Sequence, residues 1–346
     1  MTPWSIPEAP EPGLLALLAG EDAIAAENVA IVVAHPDDET IGCGAQLPRL
    51  RDATLVHVTD GAPRNMQDGE AYGFATPDAY AAARRRELEA AVGLAGIGPE
   101  ALVSLGVPDQ EAAFHLADLA RRLAALFEER GIAVVLTHAY EGGHPDHDAV
   151  AFAVHAARDL LHAYPAPCGE GRAGAKRRTG VGVADVERQR GSDSTPISAF
   201  EHRPEPERSD FSTPTPNPSP QGGGERIAPA DSLAIFEMPL YHVSPSGWIT
   251  QRFIPDPERP ELTIWLNEDE RALKQRMMAA HETQQGTLAS FTPDFARFRA
   301  APDYDFSVLP NGGDLLYERY DWGMTGARWQ ALVRAARTEL RLERAA

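Results

Sequence analysis

Short apolar runs alternate with longer amphipathic segments through residues 29–163. The runs are Val29–Ala34, Thr54–Thr59, Ala101–Leu105 and Ile132–Thr137. A continuous apolar run is typical of a strand that is buried on both faces, and strands that alternate with helices favour a parallel sheet with right-handed crossovers. The predicted fold class is therefore α/β: a Rossmann-like three-layer α/β/α arrangement around a mostly parallel sheet.

The rest of the chain suggests one domain with an interruption. Residues 1–28 are rich in proline and acidic residues and are interpreted as an N-terminal extension, with a short surface helix at Leu14–Ala19. Residues 168–228 lack hydrophobic periodicity and carry many prolines and glycines, so a disordered insertion is predicted there. A basic docking segment is the alternative interpretation. The single domain would span 29–346 around this insertion, with later strands expected at 233–238, 248–254, 261–266 and 314–320 and helices at 268–284 and 327–342.

Composition narrows the partners. The 51 acidic and 32 basic residues leave a formal charge of −19, which does not favour binding to nucleic acid or to anionic lipid. No apolar stretch approaches the ~20 residues that span a bilayer, so no transmembrane segment is predicted. The two cysteines, Cys43 and Cys168, define neither a disulfide framework nor a paired metal site. A reducing cytoplasm is the expected location.

The tripeptide His-Pro-Asp occurs twice, each time shortly after a predicted strand. The first copy lies in Ala34–Glu39 and the second in His144–His147. Open parallel sheets place their sites beyond the carboxyl ends of the strands, so both copies are expected at one sheet edge. Together they supply two imidazoles and one carboxylate for a metal, and leave an imidazole and a carboxylate for acid–base chemistry. Three protein ligands with an open position for water are common in catalytic zinc sites.

These residues resemble the PIG-L/LmbE family of zinc-dependent N-deacetylases, which act on N-acetylglucosaminyl conjugates. The resemblance covers roughly residues 29–163 and 233–290. Ala45, Thr283 and Glu141–Gly143 depart from the family pattern. The matching segments beyond the two His-Pro-Asp motifs are Gly42–Gly44, Val58–Gly61, Arg84–Glu87, Gly106–Asp109, Lys274–His281 and Gln284.

The resemblance implies a role for each of several residues. It implies Zn²⁺ as the cofactor, although another divalent metal would suit the same ligands. Asp37 would be the general base toward the attacking water. His144 would be an imidazolium that stabilises the oxyanion and protonates the amine. The implied zinc ligands are His35, Asp38 and His147, and the implied substrate contacts are Arg84 and Asp109.

The predicted function is therefore removal of the acetyl group from an N-acetylglucosamine-type conjugate, releasing acetate and a free amine. A metal-dependent amidase, a phosphoesterase and a non-catalytic sugar-binding protein remain as alternatives. The expected partner is a small-molecule or glycan-conjugate substrate, while the conjugate itself and the oligomeric state cannot be read from the sequence. His138 is a candidate to support the metal ligands, and His281 is assigned either to the pocket or to the end of a helix.

Overall fold

Five parallel strands form the centre of the sheet, and each corresponds to an apolar run in the sequence. The computed structural model describes residues 13–163, 225–226, 233–320 and 322–342. Its strands, in chain order, are β1 (Ile24–Ala25), β2 (Val29–Val33), β3 (Thr54–Thr59), β4 (Leu102–Val107), β5 (Val134–His138), β6 (Glu225–Arg226), β7 (Ala234–Met238), β8 (Tyr241–Ser244), β9 (Gly247–Thr250), β10 (Leu262–Trp265) and β11 (Phe295–Ala300).

Within the described residues, the main sheet has seven strands in the order β10-β11-β7-β5-β2-β3-β4. Strands β7, β5, β2, β3 and β4 are parallel to one another, and β11 and β10 add an antiparallel edge. Two short pairs lie outside it: β1 with β6, and the hairpin of β8 and β9. The mostly parallel sheet that the sequence predicts is confirmed.

Helices cover both faces of this sheet. The α-helices are α1 (Leu14–Ala19), α2 (Asp38–Cys43), α3 (Gln67–Ala71), α4 (Pro77–Leu94), α5 (Leu116–Arg130), α6 (Pro145–Ala163), α7 (Glu268–Ala280), α8 (Gln285–Leu288) and α9 (Gly326–Leu340). Successive side chains of a strand point to opposite faces, so β2 feeds two cores. Ala30 and Val32 join the core under α5, α6 and α9. Val29 and Ile31 join the core under α2, α4 and α7, which gives the predicted three layers.

Local sequence signals set several helix ends where they were expected. Asn267 caps α7, because its side chain accepts the backbone N–H of Glu270 while the side chain of Glu270 accepts the N–H of Asn267. Gly131 ends α5 in the left-handed conformation that glycine adopts without strain. The sequence therefore predicts these boundaries to within a few residues.

Three sequence-based predictions about elements are corrected. The strand predicted at 314–320 is wrong, because short 3-10 turns at Asn311–Gly313 and Leu316–Arg319 occupy this region. Strand β11 was not predicted, since arginines alternate with its apolar residues and mask the pattern. The helix α1 is present, but it is not a surface element, because Leu14, Leu17 and Leu18 are buried in the core.

The predicted insertion at 168–228 lies outside the described residues, apart from β6. The described residues all belong to one compact unit of the chain. Among the helices that are described, none combines the length and the apolar character needed to span a membrane.

Candidate metal centre and catalytic site

The two His-Pro-Asp motifs meet because they follow neighbouring strands. The first motif begins two residues after β2 ends, and the second lies between β5 and α6. Since β2 and β5 pair in parallel, their carboxyl ends lie side by side at one edge of the sheet. The side chains of both motifs are buried there. The sequence-predicted convergence of two half-sites is therefore the observed arrangement.

The three residues implied as metal ligands come within a few ångströms of one another. Nδ1 of His35 lies 3.1 Å from Nε2 of His147 and 3.2 Å from Oδ2 of Asp38. Oδ1 of Asp38 lies 3.4 Å from Nε2 of His147. Zinc–ligand bonds of about 2.0–2.1 Å in a tetrahedral site separate ligand atoms by roughly 3.3 Å. The chemistry and spacing of these donors therefore fit a small divalent cation.

His35 turns its other nitrogen toward two carboxylates. Its Nε2 lies 3.1 Å from Oδ1 of Asp109 and 3.4 Å from Oδ2 of Asp146. The buried carboxylate of Asp146 also accepts the backbone N–H groups of Gln110 at 2.6 Å and Ala112 at 2.9 Å. A carboxylate on the far nitrogen of a ligating imidazole fixes the orientation of the ring. Asp146, which had no assigned role in the motif, thus holds His35 in place together with Asp109.

The same four-group cluster of His35, Asp109, His144 and Asp146 could be considered for a second metal, since their donor atoms lie within 4.8 Å of one another. Both oxygens of Asp146 are, however, already bound to backbone N–H groups. This cluster also shares His35 with the first donor set. Its geometry is therefore that of a support for one metal centre.

The protonation of His144 is set by the backbone of the second motif. The N–H of Asp146 donates to Nδ1 of His144 at 3.1 Å, so Nδ1 is the unprotonated acceptor and the neutral ring carries its proton on Nε2. The His144 ring lies 4.7 Å from the His35 ring and 5.3 Å from the His147 ring, measured between centroids. A hydrogen-bond donor therefore stands beside the three candidate ligands.

Adjacent carboxylates in the first motif diverge, as the sequence predicts. Asp38 faces the histidines, whereas Oδ2 of Asp37 accepts a hydrogen bond from Nη2 of Arg84 at 3.0 Å. Asp37 has a φ of 156° and a ψ of −22°, a conformation that costs of order 1–3 kcal/mol in a residue with a side chain. Its backbone N–H donates to the buried carboxylate of Glu39 at 3.2 Å. The strained turn separates the two neighbouring carboxylates.

Arg84 is the buried member of the arginine triplet. Besides Asp37, its guanidinium donates to the carbonyl oxygens of Gly61 at 2.7 Å and Pro36 at 3.1 Å. Arg85 instead pairs with the side chain of Glu89 further along α4. Arg84 therefore links the turns after β2 and β3, and it orients the carboxylate of Asp37 in addition to lining the pocket.

The electrostatics of Asp37 suit an acid–base group. Burial raises the pKa of Asp37 to about 8, and the neighbouring charge of Asp38 adds to this effect while Arg84 opposes it. A proton acceptor works best when its pKa lies near the pH of the reaction. Asp37 therefore has the environment expected of a group that takes up and returns a proton.

The histidines have different protonation preferences. Burial lowers the pKa of His144 well below its ordinary value, and the charges of His35 and His147 add to the shift. Burial also lowers the pKa of His147 to about 4. Burial opposes protonation of His35 too, but Asp109 and Asp38 outweigh it and raise the pKa of His35 well above the ordinary value. His144 is thus a neutral imidazole in this structure, in contrast to the imidazolium that the family resemblance implies.

Two further histidines resolve their open assignments. Nε2 of His138, at the end of β5, accepts the backbone N–H of Ala34 at 2.8 Å, and its ring stacks on that of His147 with 4.2 Å between centroids. His138 therefore supports a candidate ligand. His281 directly follows α7, is fully buried, and has its Nε2 3.4 Å from the Thr40 hydroxyl. It belongs to the helix end and to a buried polar network beneath the site.

A cavity of about 320 Å³ opens over the donor cluster. Two aromatic pairs line it: Tyr241 stacks on Trp248 with 5.2 Å between centroids, and Tyr320 stacks on Trp322 with 4.6 Å. Sequence reasoning missed all four, because single aromatic residues in hairpins and turns carry no periodic signal. Phe291 also lines the cavity, and the uncharged polar lining residues are Asn65, Gln110, Gln284 and Thr287.

Two other buried carboxylates shape the loop before His144. Oε1 of Glu141 accepts the backbone N–H of Tyr241 at 2.9 Å, and Oδ1 of Asp148 accepts those of Glu141 at 3.2 Å and Gly142 at 3.1 Å. A Cβ atom at Gly143 would overlap the backbone oxygen of Tyr241. The departure from the family pattern at 141–143 therefore connects the second motif to the aromatic lining.

An α/β/α domain with a buried cluster of histidines and aspartates at its sheet edge defines the class of protein. Residues 30–158, which contain both motifs, match the sequence model of the PIG-L family, described as GlcNAc-PI de-N-acetylase. Through this segment the chain belongs to the PIG-L family, a family of deacetylases. No curated protein matches the chain.

Several solved structures are similar in fold. An antimicrobial pseudoaglycone deacetylase is 13% identical, with 80% of this chain and 97% of that chain covered and a TM-score of 0.47. A conserved protein from Thermus thermophilus is 17% identical, with 80% and 95% covered and a TM-score of 0.43. N,N'-diacetylchitobiose deacetylase from Pyrococcus horikoshii is 23% identical, with 41% and 52% covered and a TM-score of 0.34.

Proposed function

We propose that this protein is a metal-dependent N-deacetylase that removes the acetyl group from an N-acetylglucosamine-type conjugate. The observation that carries the proposal is the grouping of His35, Asp38 and His147 at 3.1–3.4 Å, with the carboxylate of Asp37 beside it. Membership of a deacetylase family supports the choice of an amide bond.

The metal would be held by His35, Asp38 and His147, with zinc the best match to two imidazoles and one carboxylate. A divalent ion there would polarise the acetyl carbonyl, activate the attacking water and favour the ionised form of Asp37. Asp109 and Asp146 would keep His35 aligned through its Nε2.

The acid–base work falls to Asp37. Its carboxylate takes a proton from the water whose oxygen attacks the acetyl carbonyl carbon. Arg84 holds one carboxylate oxygen at 3.0 Å, which restricts the direction of proton transfer. When the bond between carbon and nitrogen breaks, the proton held by Asp37 passes to the departing amine. The products are acetate and a free amino sugar.

His144 would stabilise the oxygen on which charge develops. Its Nε2–H is available because its Nδ1 already accepts the N–H of Asp146. A fixed, neutral donor in a buried site can stabilise an oxyanion without reorganising. Because the pKa of His144 is lowered, Asp37 is the better candidate to protonate the amine.

The test is acetate release from a panel of N-acetylglucosaminyl substrates by the purified protein, after chelation and again after zinc is restored. Acetate should appear only with metal present, and Asp37→Ala should abolish it. The exposed Asp269 provides a matched control, and Asp269→Ala should leave turnover unchanged. Metal-independent turnover, or full activity in Asp37→Ala, would refute this mechanism.

A further inference from the structure

The part of the cavity farthest from the sheet is aromatic and accessible. Trp248 and Tyr320 are 42% and 43% exposed, and each stacks on a more buried aromatic partner, Tyr241 and Trp322. The Tyr241 ring lies 5.2 Å from that of His147, and the Trp322 ring lies 4.6 Å from that of His144. One aromatic pair therefore adjoins each histidine. These four residues are called the outer wall below.

The outer wall combines flat apolar faces with uncharged hydrogen-bonding groups. Gln110, Gln284 and Thr287 line the same cavity. The backbone of Gln110 is held at a φ of 70°, a left-handed conformation that is uncommon for residues other than glycine. Strain of this kind clusters at ligand-binding sites. In the described part of the chain, the side-chain amide of Gln110 has no hydrogen-bond partner, so it is available to a ligand.

The cavity offers no free cation to an anionic ligand. Among its described lining residues, Arg84 is the sole lysine or arginine, and its guanidinium is buried and bound to Asp37 and two carbonyl oxygens. Asp68 also lines the cavity, so a phosphate would face a carboxylate there. Recognition of phosphate groups normally relies on arginine, lysine or exposed backbone N–H groups.

We propose that the outer wall is a subsite for an uncharged sugar ring joined to the acetamido sugar. This inference rests on the proposed function, and it excludes a phosphate-bearing aglycone. One face of a pyranose presents C–H groups that pack against the negative face of an aromatic ring. The hydroxyls at the ring edge would bind the uncharged amides and hydroxyl of the lining.

The experiment compares three soluble substrates on the zinc-loaded protein: N-acetylglucosamine, its β-linked dimer N,N'-diacetylchitobiose, and N-acetylglucosamine 1-phosphate. Acetate release should show kcat/KM for the dimer about tenfold above that for the monosaccharide, as expected for one stacked ring. The 1-phosphate should be the poorest of the three. Trp248→Ala and Tyr320→Ala should each reduce the preference for the dimer several-fold, mainly through KM.

Matched variants separate stacking from a general loss of structure. Trp265 is 72% exposed on β10 and does not line the cavity, so Trp265→Ala should leave the preference for the dimer unchanged. Trp248→Phe and Tyr320→Phe keep an aromatic face and should retain most of the preference. Equal kcat/KM for monosaccharide and dimer, or a preference for the 1-phosphate, would overturn the subsite.

Binding without turnover distinguishes failure of the subsite from failure of the proposed function. Tryptophan fluorescence of Asp37→Ala should change on addition of the dimer, with a Kd that rises several-fold when Trp248→Ala is added. Binding of the dimer with no acetate from any substrate would keep the subsite and reject the deacetylase. Acetate release without preference, and without a fluorescence change, would keep the deacetylase and reject the subsite.

Discussion

The donor cluster and the outer wall occupy one cavity, but they are built differently. The donor cluster is buried and cross-linked by short polar contacts, and its residues follow the ends of β2, β4 and β5. The outer wall comes from the hairpin of β8 and β9 and from the segment before α9, and two of its rings are more than two-fifths exposed. The contrast assigns chemistry to the rigid sheet edge and selectivity to the loops above it, as is common in α/β proteins.

The largest expected effect comes from removing a candidate ligand. His147→Ala should lose the bound metal, and turnover should fall on the order of a thousandfold, because metal polarisation of the carbonyl is worth several kcal/mol. Metal content per chain and acetate release measure this directly. His115 is an exposed histidine, and His115→Ala should affect neither quantity. Retained metal and turnover in His147→Ala would break the distinction between donor cluster and outer wall.

Arg84 tests whether the donor cluster also needs orientation. Arg84→Met should lower kcat by roughly 10–100-fold while the metal content stays the same, because the carboxylate of Asp37 loses its hydrogen bond and its compensating charge. Arg84 opposes the rise in the pKa of Asp37, so its removal should shift the acidic limb of the kcat profile to higher pH. Arg84→Lys should restore part of the rate. An unshifted pH profile would reduce Arg84 to a structural role.

Asp146 tests the support of the ligands. Asp146→Asn should weaken metal binding about 10–100-fold, the usual effect of losing a carboxylate behind a ligating histidine. Competition with a metal-binding dye would measure the affinity. Asp303 is exposed on the surface, and its pairing with Arg158 makes Asp303→Asn a matched charge control. A stoichiometry of two metal ions per wild-type chain would contradict the supporting role.

The smallest of the four effects concerns the connection between the two regions. Gly143→Ala should lower the free energy of unfolding by about 1–3 kcal/mol, since the new Cβ overlaps the backbone oxygen of Tyr241. It should also raise KM for the dimer by displacing Tyr241. Gly93 lies in α4 with open space around it, so Gly93→Ala should be neutral or stabilising by up to about 1 kcal/mol. Equal denaturation midpoints for both variants would argue against this connection.

The sequence predicts the donor cluster far better than the outer wall, and the reason is physical. The metal ligands follow apolar strands whose periodicity is readable, and their spacing is restricted by the chemistry of one ion. Asp146 lay inside a motif, but its role depends on the position of Gln110, which only the folded chain defines. Tyr320 was expected in a strand and lies instead beside a turn, because bonding between Leu316 and Gly142 was not readable from local pattern.

The central claim is that Asp37 and Asp38, although adjacent, divide proton transfer and metal binding between them. The most direct measurement is metal content and acetate release for Asp37→Asn and Asp38→Asn side by side. We expect Asp37→Asn to hold about as much metal as the wild type and to release almost no acetate, whereas Asp38→Asn should lose the metal itself. Loss of metal in Asp37→Asn with full metal in Asp38→Asn would contradict the assignment.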